Sequence, residues 1–282
     1  MLKKSWRDTT FTICIYSAAI LVLGIFLLLL GDLLVQGAGK ISLAFLLEEP
    51  SNVGRSGGIG PILVSTLLIL LVGLVVSVPL GVASAIWLAE YTRQDSAASK
   101  WVRVSLDVLA GVPSIVFGLF GYAFFCVLLG MGFSILSGGL TLACMMLPLI
   151  IRTAEAGLSA VTNDWRNGGA ALGISRASVL WNILLPAAAP AIAAGLILAI
   201  GRATAETAAL IFTSGYVDRM PESLNDSGRA LAVHIYDLSM NVTGGDPAAY
   251  ASALVLIVLI VGMNMLAMSL SDRWLARRIT TA

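Results

Sequence analysis

Long apolar stretches separated by short polar breaks set the plan of the chain. Phe11–Leu30 and Gly60–Ala89 contain no charged residue, and Ser105–Leu129 contains only Asp107 near its start. Phe133–Ile151 is short but uncharged, Ala187–Phe212 holds Arg202 and Glu206, and Tyr250–Leu270 is free of charge. A helix needs about 20 mostly apolar residues to cross the hydrocarbon core of a bilayer. These six stretches predict six transmembrane helices and an all-α integral membrane protein. The first stretch is longer than the roughly 7–15 apolar residues of a secretory signal, and no convincing small-residue cleavage site follows it. It reads as a retained helix.

Composition agrees. Of 282 residues, 58% are hydrophobic and only 12% are charged, whereas soluble domains carry about 25% charged residues. Such a surface suits lipid, not water. The net charge of +1 gives no electrostatic footprint for nucleic acid. Cys14, Cys126 and Cys144 are scattered through apolar runs, and no metal-ligand spacing is present.

Basic residues orient the spans. Lys3, Lys4, Arg7, Arg93, Lys100, Arg103, Arg152, Arg166, Arg176, Arg273, Arg277 and Arg278 fall on one side, against Lys40, Arg55, Arg219 and Arg229 on the other. The positive-inside rule then predicts that both termini are cytoplasmic. The expected layout is a cytoplasmic tail over 1–10, a first span with its external loop over 11–56, a transmembrane domain over 57–270, and a second tail over 271–282. Within that domain the cytoplasmic loop 152–186 and the external segment Thr213–Ala249 exceed ordinary loop length, which marks them as functional or disordered.

The loop reads "RTAEAGLSAVTNDWRNGGAALGISRASVLWNILLPAAAP". It predicts one short helix from Trp165 to Leu172 capped by Asn163 or Asp164, a left-handed turn at Gly173, and a second helix capped by Ser175 and ended by Pro186. Trp165, Leu172, Val179 and Trp181 would anchor it, with Arg166 and Arg176 in water. An amphipathic helix in the membrane interface and a docking element for a partner fit this pattern equally.

The loop also resembles the cytoplasmic motif of ABC importer permeases: EAA, three residues, Gly, nine residues, Ile, one residue, Leu-Pro. Asn167, Gly168 and Gly169 occupy the EAA positions, and Gly173, Ile183, Leu185 and Pro186 match the rest in spacing and identity. The triplet itself departs from the family. Further stretches, "GGIGPILVSTLLILLVGLVVSVPLGVASAIWLAEY" at 57–91, "LAGVPSIVFGLFG" at 109–121 and "ILAIGRATAETAALIFTSG" at 197–215, look like phosphate importer permeases of the PstA type. The resemblance implies a type I ABC permease fold in a bacterial inner membrane and a role in phosphate import by alternating access. It implies a PstC-type permease, two ATPase subunits and an external phosphate-binding protein as partners. The loop would then be the element that docks on the ATPase.

No phosphate-cradling G-x-x-x-x-G-K-[ST] stretch is present, so ATP would be used on a separate ATPase chain and no cofactor is expected on this one. The single histidine, His234, has no triad or metal-like company and reads as structural. Arg202 is the conspicuous charge. An arginine at the centre of a span costs about 2.5–3.5 kcal/mol on insertion scales and needs a partner or a wet cavity. On a continuous helix Arg202 and Glu206 would meet at i, i+4, either as a neutralised packing pair or as a forked cation in an anion path held by its carboxylate. Arg152 and Glu155 repeat the arrangement at i, i+3, serving either topology or the pathway. Asp107 reads as interfacial or capping. Pro79, Pro113 and Pro148 are expected to interrupt three spans, and the external Leu224–Tyr236 to contact a binding protein or gate the path. Rival functions are an ABC permease for sulfate, molybdate or phosphonate, and an ion-coupled carrier using Arg202 and Glu206 as a relay.

Overall fold

The computed structural model describes the backbone of residues 6–93 and 95–279, and side chains only between 10 and 269. Lys3 and Lys4 lie outside the described residues, as do the side chains of Arg7, Arg273, Arg277 and Arg278. Among the described residues, five helices are long and apolar enough to cross a membrane, or six if a pair bent by 102° is counted as one span.

The first helix, α1 (Trp6–Gly37), leads through a short helix α2 (Leu43–Leu47) to a two-residue hairpin, β1 (Pro50–Ser51) and β2 (Ser56–Gly57), with Pro50 opposite Gly57. Next come α3 (Gly60–Ile86), a π turn at Trp87–Tyr91, and the bent pair α4 (Ala97–Ala110) and α5 (Ser114–Gly121), the latter widened by a π turn at Tyr122–Leu128. Then α6 (Ile135–Ala160) crosses back to the loop helices α7 (Asn163–Ala171) and α8 (Arg176–Val179). A third π turn, Leu180–Leu184, joins α8 to α9 (Leu185–Thr204). The short α10 (Ala208–Ile211) and α11 (Leu231–Met240) precede the last span, α12 (Asp246–Ile279).

The centre is a three-helix core of α3, α6 and α9. Ile69, Leu142, Met146 and Ile150 are all but fully buried there. Lipid tails are as apolar as leucine, so close van der Waals packing between small residues drives such contacts. Gly139 shows this: a Cβ there would sit 2.5 Å from Cγ1 of Val72 on α3. By contrast α1 stands outside the core with most side chains exposed, leaning on the start of α12 where Gly37 meets the Tyr250 carbonyl.

Of the three expected proline interruptions one is present and two need correction. The break at Pro113 is sharp: α4 and α5 meet at 102°. Gly111 ends α4 by donating to the Asp107 and Val108 carbonyls, and Pro113 holds its own backbone extended ahead of α5. A residue before proline is pushed away from helical geometry, so Val112 and Pro113 together turn the chain. Pro79 and Pro148, however, lie inside continuous helices. Packing of α3 against α6 holds both in line, as neighbouring helices can in membrane proteins.

The segment Thr213–Ala249 is an ordered cap. A helix start leaves N–H groups without intrahelical acceptors. At α6 the amides of Ser134, Ile135 and Leu136 donate to the carbonyls of Thr213 (3.1 Å), Asp226 (2.9 Å) and Leu224 (2.9 Å). Thus Leu224 and Asp226 serve α6 directly. The cap lies at the opposite end of α6 from α7, giving the molecule a cap end and a loop end.

Candidate functional site

Arg202 occupies the last turn of α9. The helix stops two residues later, where Thr204 Oγ1 donates back to the Ile200 carbonyl at 2.7 Å and Ala205 turns the chain. Glu206 is buried, and its carboxylate accepts from the Ala209 amide at 3.2 Å, serving the start of α10. The expected Arg202–Glu206 pair therefore does not form. Arginine ahead of glutamate is the less favourable helical order, and the buried amides of α10 need an acceptor. Arg202 is exposed and makes no hydrogen bond or ion pair among the described residues. It continues an exposed stripe of α9 that includes Ala194 and Leu198. A guanidinium offers five N–H donors in a planar fork, suited to bidentate contact with an oxyanion. Nearby, Asn264 of α12 faces Gly201 and has a buried Oδ1 without a partner among the described residues. The sequence reading passed over Asn264, because a neutral amide in an apolar run leaves no charge signal.

Arg152 and Glu155 behave differently. They approach at 3.4 Å, yet each has a better partner on α4. Glu155 takes Arg103 Nε at 2.7 Å, while Arg152 binds Asp107 and donates to the Arg103 carbonyl at 3.1 Å. The four side chains clasp α4 to α6 below the 102° bend. The two arms differ in weight. Asp107 is largely exposed, so its arm contributes about 0.2–1 kcal/mol. Glu155 is buried, and leaving such a carboxylate unpaired costs about 3–5 kcal/mol. Arg103 was missed as a site residue, and Asp107, read as interfacial or capping, is an exposed partner of Arg152. The usable signal was two opposite-charge pairs, 103/107 and 152/155, at the same predicted boundary.

At the loop end, α7 closes as expected. Gly173 has φ +69°, its amide donates to Ala170 O at 3.1 Å, and Ile174 donates to Gly169 O at 2.9 Å. These two bonds are the paired closure that a left-handed glycine permits. Ser175 caps α8 through the Ser178 amide at 3.3 Å. Neither Asn163 nor Asp164 caps α7; Thr162 holds the capping position without a side-chain bond. Gly169 is buried, and a Cβ there would meet Val179 Cγ2 at 2.5 Å, so the triplet's glycine lets α7 close onto α8. Gly168 stays open, and Asn167 borders a hollow of about 330 Å³ shared with Glu90, Tyr91 and Arg176.

Three loop expectations change. Pro186 does not end the second helix: the chain is helical from Arg176 to Thr204, and the π turn Leu180–Leu184 lies directly ahead of the proline. Chain direction therefore runs from α8 through the π turn into the span, with Ile183 packed on the cluster formed by Leu184, Leu185 and Ala188. Arg166 is held by Glu90 at 2.6 Å instead of lying in water. Of the four expected anchors only Val179 is buried; Trp165, Leu172 and Trp181 are exposed, Leu172 by 78%. Large apolar side chains on a polar loop mark a surface that another component covers.

The cap end holds a separate buried group. Arg229 reaches Asp237 at 3.3 Å, Asp218 at 3.8 Å and the Tyr216 carbonyl at 2.8 Å. His234 is fully buried beside it, with Nδ1 at 3.4 Å from the guanidinium. Burial first, and the Arg229 charge second, lower its pKa to about 4, against a smaller opposing pull from Asp237. His234 is therefore a neutral packing group at pH 7.

The protein family described as binding-protein-dependent transport system inner membrane component matches residues 77–281. The probable ABC transporter permease protein YqgI of Bacillus subtilis is 30% identical, over 95% of this chain and 93% of its own. The phosphate transport system permease protein PstA of Haemophilus influenzae is 29% identical over 94% of both chains. That of Mycobacterium leprae is 34% identical over 74% of this chain and 69% of its own. Among solved structures, a bacterial alginate ABC transporter in complex with an alginate-bound periplasmic protein superposes with TM-score 0.65 at 14% identity, covering 97% of this chain and 99% of that one. This last likeness concerns the fold. A family match over most of its length, on a bundle whose described residues include five helices long and apolar enough to cross a membrane, identifies the chain as a member of the binding-protein-dependent transport system inner membrane components: an ABC importer permease subunit resembling the PstA type, and not an enzyme.

Proposed function

We propose that this permease carries inorganic phosphate into the bacterial cytoplasm, with both its termini on the cytoplasmic side. It works with a PstC-type permease, two ATPase subunits that consume ATP, and an external phosphate-binding protein. Supporting the choice of solute are the relatives named as phosphate transport system permeases. The observation that carries the reading is Arg202, a cation without a partner among the described residues on the exposed face of a membrane helix. In the last turn of the span its guanidinium reaches either the interface or a wet cavity, and in a cavity it is free to take an anion. With Glu206 turned to α10, one guanidinium attracts the anion without enclosing it, so the solute can leave. ATPase closure pushes on the loop around Gly173, and the spans rearrange so that phosphate passes Arg202.

The test is ATP-driven uptake of labelled phosphate by the reconstituted complex. Arg202→Ala is expected to assemble normally and to lose uptake on the order of tenfold or more, with Arg202→Lys between it and the parent. Unchanged flux in the alanine variant refutes the pathway role. Excess sulfate, molybdate or phosphonate that blocks uptake as well as unlabelled phosphate moves the assignment to another oxyanion. Uptake that persists when the ATPase is inactivated excludes the ATP-driven mechanism.

A further inference from the structure

The bond between Arg166 and Glu90 joins residues 76 positions apart and ties together three elements that the sequence shows as separate. Nε of Arg166 donates to both Glu90 carboxylate oxygens, at 3.2 and 3.1 Å, and Nη2 reaches Oε1 at 2.6 Å. The remaining donors go to the end of α6: Nη2 to the Leu158 carbonyl at 2.9 Å and Nη1 to the Val161 carbonyl at 2.7 Å. Every nitrogen of this fork is engaged, and both side chains are mostly buried. Such bidentate geometry fixes orientation as well as distance.

The surroundings give the pair a mechanical meaning. Helix α7 rests on α8 through Gly169 and Val179, and α8 runs on into α9 through a π turn. A push on the loop already has a covalent route to α6 through Val161–Thr162 and an apolar route through Val179, Leu184 and Leu185 to α9; the Glu90 bond adds a polar, directional link from α7 to the end of α3. Glu90 lies in the π turn at the end of α3, and the two π turns, Trp87–Tyr91 and Leu180–Leu184, both border the hollow of about 330 Å³. Widened turns of this kind recur at functional sites and mark where one helix can shift against another.

We propose that Glu90 and Arg166 are positioning residues that make α7 and α3 move as one body, delivering the force on the loop to the α3–α6 core as well as to α9. The inference rests on the reading of the loop as the ATPase-docking element; it does not depend on which solute is carried. Neither residue touches substrate. Their role is to set the path by which nucleotide-driven motion reaches the spans.

The test uses the full complex of this chain with its partner permease and ATPase chains in lipid. Nitroxide labels replace Leu71 on α3 and Asp164 on α7, in a background without the three native cysteines. In the parent, the distance between labels is expected to be the same in nucleotide-free and vanadate-trapped complexes. In Glu90→Gln and Arg166→Gln the ATPase chains still co-purify and hydrolyse ATP, but the label distance shifts on trapping. Solute moved per ATP falls roughly fivefold or more. The reversed pair, Glu90→Arg with Arg166→Glu, restores the charge pair but not the bonds to the Leu158 and Val161 carbonyls, so it recovers part of the fixed distance and of the ratio. A distance that already changes in the parent, or that stays fixed in both single variants, overturns the proposal. So does loss of the ATPase chains from both single variants with no recovery in the reversed pair, which would reduce the bond to a fold contact. Failure of the docking reading shows separately, as equal thiol labelling of Asp164→Cys in the parent with and without the ATPase chains bound. The label arm involves no transported solute, so an error about phosphate leaves it intact.

Discussion

Two arginine–glutamate pairs, 202/206 and 152/155, look almost interchangeable in the sequence, and the fold treats them in opposite ways. At the loop end Arg152 and Glu155 are drawn into a clasp with Arg103 and Asp107, so their charges are spent on holding α4 to α6. On α9 the helix ends after Arg202, Glu206 turns to the Ala209 amide, and the arginine is left open. Spacing on one helix tells which groups can meet. Whether they do depends on where the helix stops and what a second helix offers. The clasp is an architectural use of charge; Arg202 is a cation without a partner among the described residues.

This contrast has consequences of graded size. Removing Arg103 leaves the buried Glu155 with only its longer 3.4 Å contact to Arg152, so Arg103→Ala is expected to lower stability by about 2–3 kcal/mol in a detergent unfolding titration, less than a fully unpaired charge would cost. Replacing both Arg103 and Glu155 by methionine should recover most of that loss, since the cost lies in the unpaired charge. A double variant no more stable than the single would deny that the pair is the source.

Glu206→Ala removes an acceptor from a buried amide and is expected to cost about 1–2 kcal/mol. Because Arg202 is not its partner, the stability effects of Arg202→Ala and Glu206→Ala should add to within about 0.5 kcal/mol. A coupling clearly above that in a double-mutant cycle would restore the pair. Asp107→Asn touches only the exposed arm of the clasp and should cost at most about 1 kcal/mol.

The last effect, at the cap end, shows only when the pH is changed. His234 is held neutral down to about pH 4, whereas an unfolded histidine titrates near 6.5. Between these values the unfolded chain binds the extra proton, so this residue's contribution makes stability rise with pH and fall on acidification. Melting temperatures from pH 7 to 4 should decline less steeply in His234→Gln. An identical slope would remove histidine from the account.

Much of the fold was legible, and the reason is local. The six apolar stretches follow from lipid thickness, and the Gly173–Ser175 junction follows from turn and cap rules acting over a few residues. What escaped is non-local. Arg103–Glu155 and Arg166–Glu90 join residues 52 and 76 positions apart, and no periodicity reveals which distant helix supplies a partner. The bend at Val112–Pro113 was visible as a proline, but Pro79 and Pro148 carry the same signal without a break. Only the neighbouring helices separate the three. Arg202 was found by the cost of a charge in lipid, and its nearness to Glu206 suggested a pairing that the helix end removes.

The most direct measurement is the chemical reach of position 202 in the assembled complex. Arg202→Cys, with Cys14, Cys126 and Cys144 replaced, is treated with a negatively charged, membrane-impermeant thiol reagent in nucleotide-free and vanadate-trapped states. The expected result is labelling in at least one state, slowed by added phosphate. A thiol inert in both states would place this residue away from any watery route and contradict its role in carrying an anion.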